Sequence, residues 1–422
     1  MLKTTYEQPM TSLTLAALTE DVTADFCVIG GGITGLSTAL HLAKSGHSVV
    51  LLEAETLGFG ASGRNGGQVN PGLKTPPDDI VRYFGAERGA QLISASWNAP
   101  NRVFELIKEY NIACDAVQGG TIRAATAKCQ IPPLDDLCSQ LKHENHLVEW
   151  LDAKAIASRT GCDYYVSGLL DPRGGQLNPL AYTRGLAQAA QAEGARLFEQ
   201  TVAQKLVQQG AGWEVTTAHG RVHAGAVIVT TNGYTTGLMP RLKRSIVPLY
   251  SGIVASQPLT DDLIKTILPQ REVVYELGEV TTYYRIDAQK RLLIGGRSQS
   301  REAFGPQSFK FLIRHAKTLW PHLSGAAWTH GWNGQLAMTM DHYPHWHNPQ
   351  PGLYAALGYN GRGVAMATVT GQALSEHVTQ GAPPLFPFTG INPILGHPFW
   401  KIGVSGAILF KRLQDKMVTP KK

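Results

Sequence analysis

The stretch that most constrains this 422-residue chain runs from Asp25 to Glu53, DFCVIGGGITGLSTALHLAKSGHSVVLLE. Phe26 to Ile29 is a short apolar run of the kind that forms a buried parallel strand. It breaks at Gly30-Gly31-Gly32, after which Ile33, Leu36, Leu40 and Ala43 recur at helical spacing. Gly46 is placed to end that helix, and Val49 to Leu52 predicts a second buried strand. Gly30, Gly32 and Gly35 make G-x-G-x-x-G: one glycine for the tight turn, one for close approach to a pyrophosphate, one for helix against strand. The amides opening the helix then face the phosphates, and the helix dipole favours their charge. Glu53 closes the second strand 18 residues after Gly35, where a carboxylate can accept from ribose hydroxyls. Strand, glycines, helix, strand and acid in that order favour dinucleotide binding over a structural turn.

Other classes find little support. A hydrophobic content of 43% with 17% charged residues belongs to a folded globular chain, and its length suits about two domains. The five cysteines (27, 114, 129, 138 and 162) are scattered without C-x-x-C, which points to a reducing, cytoplasmic compartment. The N-terminal residues lack the pattern of a signal peptide, and no run of about 18 uncharged apolar residues predicts a membrane span. A net charge of +6 without a basic run interleaved with aromatics argues against nucleic acid. There is no G-x-S-x-G elbow for serine hydrolysis. His342, His345 and His347 are interrupted by Pro344 and lack an acidic or thiol partner at ligand spacing, so no metal site is expected.

After Glu53 comes a second glycine-rich string, Gly58 to Gln68, with Ala61, Ser62, Arg64, Asn65, Gly66 and Gly67 inside it. Arg64 and Asn65 amid glycines suggest backbone wrapped round a flat or anionic ligand, with Arg64 on a phosphate or carboxylate. Residues 79–145 are largely helical in pattern, interrupted by a turn entering a strand near 119–124. A helix from Leu180 to Glu193 precedes a short strand at 196–198, Val202, a hairpin near Trp213 and the apolar run 226–229. That run ends at Thr230-Thr231-Asn232-Gly233, a further junction where backbone can touch a cofactor. Residues 243–300 alternate like antiparallel strands, and a helix from Phe309 to Trp320 leads into a Trp-rich connection. Leu353 to Leu357 is a strand that enters Gly358-Tyr359-Asn360-Gly361-Arg362-Gly363, followed by a helix from Val364. Two strand–glycine–helix units at opposite ends of the chain suggest one cofactor gripped from both sides.

With both loops in view, the chain resembles the D-amino-acid-oxidase-like FAD oxidoreductases, nearest the γ-glutamylputrescine oxidoreductases, with bacterial L-pipecolate oxidases next. The strings that carry the resemblance are VIGGGITGLS at 28–37, GFGASGRNGGQ at 58–68, Thr339, Asp341 and Pro344 as T-x-D-x-x-P, and GYNGRGV at 358–364. The resemblance implies FAD, with Glu53 on the adenosine ribose, Val202 backbone at the adenine, and the 58–68 and 361–364 loops flanking the isoalloxazine. Asn232, Gly334, Gly361, Arg362, Gly363 and Val364 join the expected cofactor set. Where the sarcosine-oxidase branch attaches FAD through a cysteine, Gly334 stands here, and no histidine lies between His47 and His143. Non-covalent FAD is therefore expected. The lysine that holds a substrate carboxylate in that branch is replaced by Ala365, which leaves Arg362, Arg285 or Arg64 to take its place.

The expected fold is α/β: a Rossmann-like FAD-binding domain (1–78, 178–235 and 331–395) with a discontinuous, mostly antiparallel substrate domain (79–177 and 236–330). Tyr283 and Tyr284 should face opposite sides of a strand, and Tyr284 with Arg285 is taken as the substrate-facing pair. Trp332 and Asn333, just before Gly334, are expected beside the flavin. The expected reaction is oxidation of an amine or amino acid C–N bond to an imine, with a γ-glutamylputrescine-like substrate favoured over L-pipecolate, and oxygen or a quinone as acceptor. A non-redox FAD protein is the reading from another class, and the second glycine loop argues against a pyridine-nucleotide dehydrogenase. The tail, 396–422, predicts an amphipathic helix with six basic residues against Asp415. It suits either docking on the FAD domain or peripheral contact with the inner face of a membrane.

Overall fold

The computed structural model describes residues 4–7, 13, 15–278, 281–297, 301–401 and 406. Two eight-stranded sheets organise it. In the first, Val22–Ile29 sits centrally, paired in parallel with Val49–Leu52 on one side and Arg221–Val229 on the other. Arg196–Phe198 and Leu353–Leu357 extend it in parallel, and His345–Gln350 closes one edge antiparallel. The parallel strands are apolar where helices cover them, as in Val49–Leu52 and the Ala226 to Val229 end of Arg221–Val229.

The covering helices are Ile33–Lys44, Pro179–Ala192 and Gly363–Gln380, each opening just after a glycine turn or an Asn-Pro. Ile33–Lys44 buries all but its last residue. It meets Gly363–Gln380 so closely that a Cβ on Gly371 would lie 2.5 Å from the Ser37 Cβ. Ser37 Oγ donates to the Thr368 carbonyl at 2.7 Å across that contact. The predicted elements of this half are thus present, with the helix from 363 instead of 364.

The second sheet runs Trp328–Met338, Val247–Pro258, Arg291–Arg297, Thr282–Ile286, Val273–Glu276, Thr121–Ala125, Ser167–Asp171 and Glu149–Asp152. All its neighbours are antiparallel except Val273–Glu276 with Thr121–Ala125. One face packs on helix Lys310–Leu319 through Ile122, Val274, Tyr284, Ile294, Phe309 and Trp320. The other face looks toward the glycine loops of the first sheet.

The helical stretch expected at 79–145 resolves into Pro77–Phe84, Ala86–Glu109 and Ile131–His143 around the strand Thr121–Ala125. The Trp-rich connection is itself a strand, Trp328–Met338, and so the division expected at 330/331 falls inside it. His345 and His347 lie on a further unexpected strand, His345–Gln350. Of the tail, only 396–401 and 406 are described, so the expected amphipathic helix lies outside the described residues.

Candidate active site

A cavity of about 1060 Å³ lies between the two sheets. Its floor is the first glycine turn. Gly30 takes φ +113°, and a Cβ on Gly35 would stand 2.0 Å from the Gly30 carbonyl oxygen, so both positions demand glycine. Gly32 caps helix Ile33–Lys44 with no side-chain hydrogen bond, leaving helix-opening amides to face the cavity. Glu53 lines the same end. Its Oε2 accepts from the Gly31 amide at 2.6 Å and its Oε1 from the Glu55 amide at 2.9 Å. Burial pushes its carboxyl above the ordinary value, partly offset by those two amides. Val202, half exposed, borders this end, as does Asn232, whose Oδ1 accepts from the Gly358 amide at 3.0 Å.

The second string forms one wall. Ala61, Ser62, Arg64, Asn65, Gly66 and Gln68 all reach the cavity. Ser62 Oγ accepts from the Ile33 amide at 3.0 Å, so the wall is tied to the floor. Asn65 folds the string on itself: its Nδ2 donates to the Ser62 carbonyl at 2.8 Å and its Oδ1 accepts from the Gly67 amide at 2.8 Å. Arg64 is buried, lies 4.6 Å above the Phe59 ring and pairs with Glu302, so its charge is already met within the protein.

Opposite, the late glycine loop brings Gly361, Arg362, Gly363 and Val364 to the cavity, with Gly334 nearby. Gly361 takes φ +92°, and helix Gly363–Gln380 likewise begins with no side-chain cap. The T-x-D-x-x-P residues brace this loop. Asn360 Oδ1 accepts from the Thr339 amide at 3.0 Å, and Thr339 Oγ1 donates to the Tyr343 carbonyl at 2.8 Å. Two helices therefore open their N-termini onto one cavity, the arrangement that suits pyrophosphate at one end and an electron-rich ring at the other.

Not every expected residue reaches the cavity. Gly35 and Gly67 support it from behind. Tyr284 is wholly buried on the far face, edge-on to Trp320 at 5.0 Å. Its neighbour Tyr283 takes the place expected for it, with its hydroxyl 2.9 Å from Ser251 Oγ. Arg285 shares Tyr283's face but lies two residues along, under the second string, where it donates to the Gly66 carbonyl and to Gln176 Oε1. Trp332 is also behind that string, its Nε1 donating to the Arg64 carbonyl at 2.9 Å. Asn333 is fully buried and accepts from the Ala303 amide at 3.0 Å. The geometry thus moves Tyr284, Arg285 and Trp332 from substrate contact to support.

Arg123 and Tyr275 line the cavity and were not singled out from sequence. The signal was there: an arginine within Thr-Ile-Arg-Ala-Ala, a strand otherwise small and apolar. Burial, with Arg362 nearby, lowers the Arg123 guanidinium from its ordinary value, opposed by Tyr275. No cysteine or histidine lines the cavity among the described residues. No cluster able to hold a metal ion is found among them, and none of their helices is long and apolar enough to cross a membrane.

Comparison with known proteins adds the following. Residues 25–377 match the family model described as FAD dependent oxidoreductase. The chain is 32% identical over 406 residues to gamma-glutamylputrescine oxidoreductase of Escherichia coli, covering 94% of this chain and 95% of that one. It is 33% identical over 386 residues to the probable oxidoreductase OrdL of Haemophilus influenzae, covering 89% and 87%. Among solved structures, glycine oxidase from Geobacillus kaustophilus superimposes with a TM-score of 0.72 at 21% identity, covering 89% of this chain and 99% of that one. L-proline dehydrogenase from P. horikoshii gives 0.70 at 21% identity, covering 87% and 96%.

Proposed function

This chain belongs to the FAD dependent oxidoreductase family, and on that premise we propose that it oxidises the C–N bond of a γ-glutamylputrescine-like amine with non-covalently held FAD. The observation that carries the reading is the pair of helix N-termini opening on one cavity whose remaining wall is a mostly antiparallel sheet. The lining fits the cofactor: Gly30 to Gly32 and the amides after them would hold the pyrophosphate, Glu53 the ribose, and Val202 the adenine end. The 61–68 string and Gly361 to Val364 would flank the ring.

Bound FAD would supply the two-electron acceptor for oxidation of the carbon that carries the nitrogen, and the imine so formed would be open to hydrolysis by water. The Gly363 helix end would favour the negative charge that reduction brings. Tyr283 and the antiparallel wall would orient the amine and exclude water. No protein base is needed if the amine binds neutral. A lining without cysteine or histidine supports non-covalent attachment. The likeness to the Escherichia coli enzyme over nearly its whole length supports the substrate class. We also propose that the two sheets correspond to cofactor and substrate parts, and that oxygen or a quinone takes the electrons.

The test has two steps. Acid precipitation of the purified yellow protein should release intact FAD into the supernatant; colour retained in the pellet would rule out non-covalent binding. Anaerobic mixing with γ-glutamylputrescine, putrescine, L-pipecolate, sarcosine, glycine and D-alanine should bleach the flavin with at least one, γ-glutamylputrescine fastest. A spectrum untouched by every amine but bleached by a hydroxy acid would overturn the C–N assignment.

A further inference from the structure

Three consecutive carbonyls of the second glycine string, those of Arg64, Asn65 and Gly66, are each held from behind by a side chain of another segment. Trp332 Nε1 donates to the first at 2.9 Å, the Tyr6 hydroxyl to the second at 2.9 Å, and Arg285 Nε to the third. The donors form one packed group. The Tyr6 and Trp332 rings meet edge-on at 5.2 Å, and the Arg285 guanidinium lies 5.9 Å from the Tyr6 centroid. Trp332 and Arg285 come from strands of the second sheet. Tyr6 comes from the N-terminal arm, 59 residues before the carbonyl it serves, and is 2% exposed. Burial pushes its hydroxyl above the ordinary value, opposed by Arg285, so it keeps its proton and donates at neutral pH.

The arm is tied down on both sides of this contact. The Thr5 carbonyl accepts from Arg291 Nη2 at 3.1 Å, the Tyr6 carbonyl from Asn178 Nδ2 at 3.1 Å, and Glu7 pairs with Arg184 at 3.0 Å. Asn178 caps helix Pro179–Ala192 of the first sheet and Arg184 lies within it, whereas Arg291 opens a strand of the second sheet. Chain ends are poorly ordered unless something holds them, so this one is held for a reason. What Tyr6 grips is the rear of a string whose Ala61, Ser62, Arg64, Asn65 and Gly66 line the cavity.

A buried carbonyl needs a donor. In FAD-free protein the string is at liberty to turn its carbonyls toward water in the cavity. With FAD filling that space, they depend on the donors behind them. The donors therefore stabilise the FAD-bound arrangement more than the free one, and that difference is a coupling between the two binding events.

We propose that the N-terminal arm is part of the FAD site, with Tyr6 as the positioning residue that locks the string around the cofactor. Docking of the arm and binding of FAD then reinforce each other. Tyr6 acts through Asn65 and not on the reacting atoms, and its role does not depend on which amine is oxidised.

The experiment is FAD titration of the stripped full-length protein. Tyr6→Phe should bind FAD about three- to tenfold more weakly, the worth of one hydrogen bond, and Tyr6→Ala more weakly still. Ile156→Val, a small cavity in the second core, should lower Tm yet leave FAD affinity within about twofold, which separates positioning from general loss of stability. Reciprocity supplies a second measurement: in wild type, hydrogen exchange of residues 4–7 should slow when FAD is added, by about the factor by which deleting residues 2–7 weakens FAD. A Tyr6→Phe affinity within twofold of wild type, an equal loss in Ile156→Val, or exchange indifferent to FAD overturns the proposal. If Tyr6→Ala or the deletion fails to fold, Tyr6→Phe and the wild-type exchange decide. Were acid to leave the flavin attached, the reading of non-covalent attachment would fall. The same exchange comparison, on protein made with and without riboflavin, would then decide the arm's role.

Discussion

Tyr283 and Tyr284 are neighbours in the chain, yet one borders the cavity and the other is sealed in the opposite core. Period-two alternation predicts that they part, but it cannot say which face is which. That is settled by helix Lys310–Leu319 and Trp320, distant in sequence, which claim the Tyr284 side. Tyr283→Phe should therefore change kcat/KM for the amine by about two- to tenfold, the worth of one hydroxyl contact. Tyr284→Phe should leave kinetics within about twofold and act on Tm alone. Steady-state kinetics of the two variants check this, and the opposite pattern would restore Tyr284 to the site. Asp341 offers a pH test. Burial raises its carboxyl, but hydrogen bonds from the His345 ring and the Tyr343 amide outweigh that and hold it at about 2 against the usual 3.8. A depressed carboxyl adds stability that is present above its unfolded value and lost as pH falls through the folded one. Asp341→Asn should thus melt below wild type near neutrality, with the gap closing as the pH drops from about 4 toward 2. A gap that widens on acidification would contradict the assignment.

At the level of elements, the glycine loops were legible because their chemistry is local: a turn of positive φ, a close approach and a helix start are written in consecutive residues. The strand Trp328–Met338 was not. Its Trp332 and Asn333 are both fully buried, on opposite faces, so no polar alternation marks it. What makes it a strand is pairing with Val247–Pro258 over ten positions, a long-range cause invisible to local pattern. Trp332 and Gly334 share one face of that strand, both against Arg64, and differ only in their place along it. Gly334 reaches the cavity, while Trp332 carries the glycine string on its indole, edge-on to Tyr6 at 5.2 Å. Trp332→Phe removes the donor to the Arg64 carbonyl and should cost about 1–3 kcal/mol for the unsatisfied group. FAD affinity should fall with it, while KM for the amine at saturating FAD should hold. Denaturant unfolding and FAD titration read the first two; a KM that rises instead would put the indole in the substrate pocket.

Considered whole, the molecule holds its cavity between two sheets: one core cluster around Ile122 and Ile294 belongs to the second sheet, while the larger one around Val28 and Leu51 also takes in Ala125 and Leu169 of that sheet. Direct bonds join the two halves at the site both through the 58–68 string, where Trp332 and Arg285 donate to the Arg64 and Gly66 carbonyls and Gln68 to the Val274 carbonyl, and beside it, where Arg362 donates to the Tyr275 hydroxyl and Gln335 to the Gly233 carbonyl. Three of these involve the 58–68 string, so the string and the FAD it would embrace are one mechanical link between the halves. A ligand that binds only the folded state stabilises by RT ln(1 + [L]/Kd), about 2.7 kcal/mol at a hundredfold excess over Kd. Because FAD would touch both sheets, that stabilisation should be shared by both. Calorimetry of the holoenzyme should then give one transition whose Tm rises with free FAD, and stripping the FAD should lower Tm and broaden or split the transition. A melting profile independent of FAD would mean that the cavity's two walls are held together by protein contacts alone.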